Sequence, residues 1–264
     1  MVGGTVAKEA PEDGRERILQ RLRLSGSATV RELAEELGVS PVTVHRHLAR
    51  LEGQGLIARP RGRARLLSGA ALDLDFEHRL AAHADQKQSI GRKVLEVIPE
   101  SGAIFVDAST TCLFAAREIE RSASGNLTIV TTSPAVLRGF AASGIRVVAA
   151  PGELDLTLRA ILGPWTLEFL AGLNIETALI SGVGMTLEAG LTTTHRGLAD
   201  LLRQVARRSH HAYVLLDSSK FGRTALLPIV DPWEVDGVIT DAAIDPAVAE
   251  IYRARGVKLI IAED

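Results

Sequence analysis

In the early part of the chain apolar residues fall at helical spacing, whereas after residue 100 they come in short strand-like runs separated by helical stretches. Asp13-Gly-Arg-Glu16 has the spacing of a capping box, and Ile18, Leu19 and Leu22 follow as one stripe. Thr29-Val-Arg-Glu32 repeats that spacing ahead of Val30, Leu33, Ala34 and Leu37, which sit at i, i+3, i+4 and i+7. Gly38 is placed to stop this helix in a left-handed conformation. Ser40-Pro41 then supplies an N-cap and a first-turn proline. Three short helices are predicted, the last two joined by a tight turn, which is the plan of a helix-turn-helix.

The third helix, from Pro41 to about Glu52, is divided by its turn of 3.6 residues. Val44, Leu48 and Leu51 face inward, Val42, Thr43, Arg46, Ala49 and Arg50 face outward, and His45 and His47 lie on the flanks. After Gly55, residues 56–67 read as a hairpin in which Arg59, Arg61, Arg63 and Arg65 recur every second residue and share a side, disturbed locally by a Pro60–Gly62 turn.

Farther on, strands are predicted at Ala103–Asp107, Leu127–Thr131, Ile145–Ala149, Thr177–Ser181, Ala212–Asp217, Gly237–Thr240 and Val257–Ile261, with helical stretches between most of them. Such alternation indicates an α/β domain with an open, mainly parallel sheet and helices on both faces. The expected organisation is a small N-terminal winged helix-turn-helix at 13–68, a connector at 69–86, rich in alanine and leucine, and a larger α/β domain at 87–264.

Charge sharpens this division. Residues 1–72 hold 12 Lys and Arg against 8 Asp and Glu, a net of +4, while the remainder nets −6. A basic small segment on an acidic large one suggests a polyanion contact at one end only. No run approaches the ~20 apolar residues of a membrane span, and the first ten residues lack the apolar core of a secretory signal. Cys112 is the only cysteine, which excludes an internal disulfide or a cysteine-based zinc cluster and suits a reducing cytoplasm. The seven histidines show no metal-ligand spacing, so neither a metal nor another cofactor is expected.

A narrow face of small and cationic side chains near a helix N-terminus suits a major groove. Arg46 reaches a guanine edge or a phosphate, and Val42 and Thr43 touch a thymine methyl or the backbone. The candidate contacts to double-stranded DNA are Ser40, Val42, Thr43, His45, Arg46 and Arg50 on the helix, with Arg59, Arg61 and Arg63 on the cationic wing. A solvated arginine hairpin on a protein-contact unit is the plainer alternative. The ordered series of caps, turn, groove face and basic wing favours DNA.

In open α/β sheets ligands bind at the loops beyond the strands' C-terminal ends. Three such loops have suggestive chemistry. Asp107-Ala-Ser109-Thr110-Thr111 offers hydroxyls and free amides where a helix opens, a natural phosphate seat. Asp217-Ser-Ser-Lys220-Phe-Gly222 adds a cation. Ser181-Gly182-Val-Gly184 lets a ligand approach backbone closely. For any one loop, caps and ordinary turns explain the residues as well; together they favour a phosphorylated ligand. No Walker pattern and no Gly-x-Gly-x-x-Gly follows the first strand, which argues against nucleotide and dinucleotide sites. His195, after Thr192-Thr-Thr194, is a further residue that can face such a pocket.

These segments resemble the DeoR family of bacterial regulators over most of the chain. In the N-terminal part the resemblance is carried by Glu16-Arg-Ile-Leu19, the run from Val30 to Ser40, Thr43-Val44, Arg46 and Leu51-Glu-Gly-Gln-Gly-Leu56. Later it is carried by Lys87-Gln-Ser-Ile-Gly91, Ile104-Phe-Val-Asp-Ala108 with Thr110-Thr111, Leu127–Thr131, Gly190-Leu-Thr-Thr193, Asp217–Gly222 and Ile239-Thr-Asp241. The resemblance implies a sensor domain related to ribose-phosphate isomerases, with sugar phosphates as usual effectors and repression as the usual output. Carried over by position, the effector candidates are Asp107, Ser109, Thr110, Thr111, Gly182, Lys220 and Lys87.

The chain also departs from the family pattern. His45-Arg46-His47 stands where the family has two arginines and an aspartate, and Arg61-Gly62-Arg63 replaces a histidine-glycine-glycine wing. Ser109, Thr132 and Pro151 stand where glycine, asparagine and glycine are usual. These imply a different operator preference and, through side chains at 109 and 151, a narrower pocket.

The expected function is thus an operator-binding regulator that represses a catabolic operon, is controlled by a phosphorylated sugar or related metabolite, and works as a homo-oligomer. The competing class is a sugar-phosphate isomerase-like enzyme with an accessory DNA-binding segment, for which Asp107 and Asp217 are the available carboxylates.

Overall fold

The computed structural model describes residues 11–53, 56–66, 76–122, 126–140 and 144–263. It divides into two compact units, Met1–Glu77 and His78–Asp264. Among the described residues no helix is long and apolar enough to cross a membrane.

In the first unit the order is α1 (Pro11–Ser25), β1 (Ser27–Thr29), α2 (Val30–Leu37), α3 (Pro41–Gly53), β2 (Ile57–Ala58) and β3 (Arg63–Leu66). The caps act largely as expected. Thr29 Oγ1 accepts from the Glu32 amide at 3.2 Å while the Glu32 carboxylate accepts from the Thr29 amide at 2.7 Å, completing a capping box. Gly38 ends α2 at φ 68°, its amide donating to the Ala34 carbonyl. Ser40 Oγ accepts from the Thr43 amide at 3.2 Å. Asp13 departs from expectation: α1 already begins at Pro11, so Asp13 lies inside the helix and is not its cap. Ile18, Leu22, Leu33, Leu37, Val44, Leu48, Leu51 and Ile57 form one buried cluster. The three strands make a small antiparallel sheet in the order β1-β3-β2. Its first strand was not foreseen, because three residues show no periodicity.

The second unit opens with α4 (residues 76–81, which enters it at His78) and α5 (Ala84–Val94). Then come β4 (Gly102–Val106), α6 (Thr110–Ser122), β5 (Leu127–Thr131), α7 (Pro134–Gly139) and β6 (Arg146–Ala149). The hairpin β7 (Glu153–Asp155) and β8 (Ala160–Leu162), α8 (Pro164–Ala171), β9 (Thr177–Ile180), β10 (Gly184–Thr186) and β11 (Gly190–Thr193) follow. The chain ends with α9 (Arg196–Arg208), β12 (His211–Leu215), β13 (Leu227–Val230), β14 (Gly237–Asp241), α10 (Pro246–Ala254) and β15 (Leu259–Ala262).

The seven strands predicted from sequence form a single sheet in the order β15-β14-β12-β9-β4-β5-β6, and every pairing is parallel. Consecutive residues of its inner strands, such as Ile104, Phe105 and Val106, are all buried, as a sheet covered on both faces requires. Phe105, Ile180 and Val214 pack with Leu201, Leu202 and Val205 of α9, while α5 packs on α6 and on the β14–β15 edge. From β4 the chain builds outward to β5 and β6, then crosses to β9 and builds the other way. The switch point of the sheet therefore falls between β4 and β9, where a crevice opens beyond the carboxyl ends.

Candidate functional site

On α3 the exposed side carries Val42, 77% exposed, with His45, Arg46, Ala49 and Arg50, and a half-buried Thr43. Val44, Leu48 and Leu51 hold the opposite side against α1 and α2. A helix so divided presents short apolar and guanidinium groups outward from its first turns, the chemistry of a major-groove reader.

Three of the predicted neighbours are placed differently from expectation. His47 is not on the flank: it is 6% exposed, and its ring lies so close to α1 that a Cβ on Gly14 would stand 3.2 Å from Nε2. Burial and the charges of Arg46, Arg15 and Arg50 hold its pKa below the usual value. Arg59 does not share a side with Arg63 and Arg65. The register Ala58↔Arg65 puts those two on the outer face and leaves Arg59 turned toward α3, 3.0 Å from His45 Nδ1 and 3.8 Å from Glu52. Six residues, an even number, separate the paired Ala58 and Arg65, so Arg59 falls on the face of Ala64 and not of Arg63. Arg63 is exposed but tied down, donating to Ser27 Oγ at 3.1 Å and lying 3.5 Å from Glu32. The side chain of Arg61 is outside the described residues.

In the second unit, β4, β9 and β12 are neighbours and run parallel, so the loops after them converge. They border a cavity of about 270 Å³. Asp107, Ser109, Thr110 and Thr111 line it from the first loop, Ser181, Gly182 and Val183 from the second, and Lys220 from the third. Thr193, Thr194 and Leu198 close one side, and Thr157, Leu158 and Ala160 of the β7–β8 hairpin another. Arg79, which sequence reasoning missed, also borders it.

The first loop opens α6. Ser109 Oγ accepts from the Cys112 amide at 3.1 Å, capping the helix. Asp107 is buried beneath, its Oδ1 accepting from the Ala108 amide at 2.6 Å. Burial pushes its carboxyl up to about 6 against the pull of those hydrogen bonds. Lys220 reaches across to the Gly182 carbonyl at 3.3 Å, and burial holds its pKa below the ordinary lysine value.

The loop bearing Lys220 is shaped by two aspartates. Asp217 caps the 218–220 turn through the Ser219 amide at 3.2 Å. Asp241 accepts from the Ser218 amide at 2.6 Å and its hydroxyl at 3.0 Å, which gives the Ile239-Thr-Asp241 segment a structural job. Gly182 serves its own chain before any ligand: a Cβ there would stand 2.7 Å from the Thr192 carbonyl oxygen. Pro151 does not border the cavity, so the narrowing expected from it is not found; its carbonyl accepts from Thr166 Oγ1 at 2.7 Å.

Lys87 is likewise absent from the lining. It is 3% exposed, and its ammonium donates to the Arg79 carbonyl and, at 2.6 Å, to the Ala82 carbonyl. Burial lowers its pKa to about 8. His195 turns from the cavity to cap α9, its Nδ1 accepting from the Leu198 amide at 3.4 Å.

Comparison with known proteins bears on both sites. The chain is 29% identical over 243 residues to the glycerol-3-phosphate regulon repressor of Escherichia coli (strain K12), covering 92% of this chain and 95% of that protein. It is 28% identical over 247 residues to the transcriptional repressor GlcR of Bacillus subtilis (strain 168), covering 93% and 94%. Likeness to a solved D-ribose-5-phosphate isomerase is slight, at a TM-score of 0.40 and 13% identity over 52% of this chain and 54% of that one. The DeoR-like helix-turn-helix domain matches residues 15–69, and the DeoR C-terminal sensor domain matches residues 82–242, more than half of the chain. With a helix-turn-helix in its first unit and a sensor domain in its second, this chain belongs to the DeoR family of transcriptional regulators.

Proposed function

We propose that this chain is an operator-binding repressor, working in the cytoplasm as a homo-oligomer, which a small phosphorylated metabolite releases from double-stranded DNA. The observation that carries the reading is the cavity at the sheet's switch point. There the N-terminus of α6, with the hydroxyls of Ser109, Thr110 and Thr111, meets Lys220 and Arg79. Hydroxyls at a helix N-terminus and two cations are groups that suit a phosphate. The cavity's small volume and the wall made by Leu158, Val183 and Leu198 leave room for a short carbon skeleton beside that phosphate. The likeness to repressors, one of them named for a glycerol-3-phosphate regulon, supports repression as the output.

Outside the sensor, Arg46 and Arg50 read the operator and Arg63 contributes to backbone affinity. A homo-oligomer pairs recognition helices on half-sites about one helical turn apart. Asp107 holds the Ala108 amide beneath the start of α6 and Asp217 caps the 218–220 turn, and we assign no catalytic step to them.

The test is to capture genomic fragments with the purified full chain, then titrate the bound complex with phosphorylated metabolites of the neighbouring genes' pathway. Saturable release by one of them, lost in Lys220→Ala with DNA affinity retained, is the expected result. Sustained isomerisation of a sugar phosphate that disappears in Asp107→Asn would overturn the reading in favour of an enzyme.

A further inference from the structure

The last carbonyls of a helix have no partner within it, and cations are favoured there. At the end of α4 these roles fall to Lys87, whose ammonium takes the carbonyls of Arg79 and Ala82 and closes residues 79–83 into a tight turn. His83 adopts a left-handed conformation at φ 55°, and its carbonyl accepts from the Lys87 amide at 3.1 Å. The Arg79 carbonyl receives a second donor, Thr110 Oγ1, at 3.4 Å. Thr110 lies in the proposed anion seat at the start of α6, and Arg79 borders the same cavity. One residue is thus bonded through its backbone to the seat and borders the space a ligand would fill.

A threonine hydroxyl has a single proton to donate. It bonds the Arg79 carbonyl or an anion's oxygen, and not both. We propose that Thr110 and Arg79 form the relay by which an occupied cavity moves residues 78–83, the stretch of chain that leads directly to the last residue of the first unit. An arriving phosphate takes the Thr110 proton and draws in the Arg79 guanidinium. The Arg79 carbonyl loses the Thr110 donor and keeps the Lys87 ammonium, and the turn re-seats around it. Lys87 is the positioning residue of this relay and touches no ligand. A ligand shifts a conformation only by binding the two arrangements unequally, and the exchange of one hydroxyl proton supplies that inequality.

The inference rests on the cavity being an anion site, and hydrogen exchange of the full chain separates the two claims. The probe is inorganic phosphate, against chloride at matched ionic strength. In the parent protein, phosphate slows exchange at residues 110–112 and changes it at residues 78–83 by about fivefold. Thr110→Ser, which keeps the proton, behaves as the parent. Thr110→Val binds phosphate more weakly and, at concentrations that saturate it, shows no response at 78–83. Protection at 110–112 with no change at 78–83 in the parent overturns the relay and leaves the anion site standing. A response at 78–83 that persists in Thr110→Val also overturns it. No change at either segment removes both claims.

Discussion

His195 Nε2 lies 3.2 Å from an Asp155 carboxylate oxygen. The other oxygen of that carboxylate accepts from the amides of Thr157 and Leu158, each at 2.9 Å. Because His195 Nδ1 accepts from the Leu198 amide, the ring carries its proton on Nε2 and donates it to Asp155. One imidazole therefore caps α9 and steadies the tip of the β7–β8 hairpin, both of which wall the cavity. His195→Ala is expected to cost about 1 kcal/mol, the usual loss for a cap, and to speed amide exchange at residues 157 and 158. His195→Asn restores a cap without reaching Asp155. It should recover the thermal midpoint while exchange at the tip stays fast, and slow exchange there would refute the bridge.

Arg46 and Arg63 are expected to fail in different ways. Arg46, free of any described ion pair and exposed on α3, should lose base discrimination when changed to alanine, by about 1–3 kcal/mol at one position. Arg63 is anchored to Ser27 and Glu32, so Arg63→Ala should weaken all duplexes alike and lower thermal stability as well. Binding to a set of single-base operator variants, read beside a melting curve, distinguishes them. Equal losses on every duplex for both variants would misplace the groove face.

Asp107 makes the proposed anion seat pH-dependent. Its carboxyl is raised from 3.8 to about 6 in the fold, so the folded state holds the proton more tightly than the unfolded chain. Stability conferred by that proton is present at low pH and is lost as pH rises through about 6. The same ionisation places a negative charge beside the seat. Sulfate, whose own charge is constant through this range, should bind up to about tenfold more tightly below pH 6 than above it. Calorimetric titration across pH checks this, and Asp107→Asn should abolish the dependence.

Gly91 sets the spacing of α5 and α6. A Cβ there would stand 3.0 Å from the Phe114 carbonyl carbon and oxygen, which are backbone and cannot swing aside. Gly91→Ala is expected to destabilise the second unit by about 1–3 kcal/mol, measured by denaturant unfolding followed at residues of that unit. An unchanged midpoint would mean the two helices separate at no cost.

Much of the fold was legible because its signals are local. The Thr29–Glu32 capping box, the Gly38 stop and the Ser40 cap depend on residues within four positions of one another. The seven parallel strands announce themselves as apolar runs, since both of their faces are buried, and only their ends shift by a residue or two. The strands that went unread, β10, β11, β13 and the β7–β8 hairpin, are three or four residues long, too short to show an alternation.

The misread side chains were each settled by contacts that local spacing does not record. Arg59 and Arg63 were assigned to one face on spacing alone, but the length of the intervening turn decides the face. His47 looked like a flank residue until α1 packed over it. Lys87 carries the charge that would pair with a phosphate, yet the carbonyls of Arg79 and Ala82 take its ammonium first.

By itself the sequence determined the three helices of the first unit and the seven parallel strands of the second, which face of α3 is apolar, and that hydroxyls and a lysine sit at strand ends, because each depends on neighbours along the chain. Only the tertiary structure decided that the loops after β4, β9 and β12 share one cavity, that Arg79 joins them, and that Thr110 has two claimants for one proton. Those relations join residues tens of positions apart, and the order of strands in the sheet is what brings them within hydrogen-bond reach.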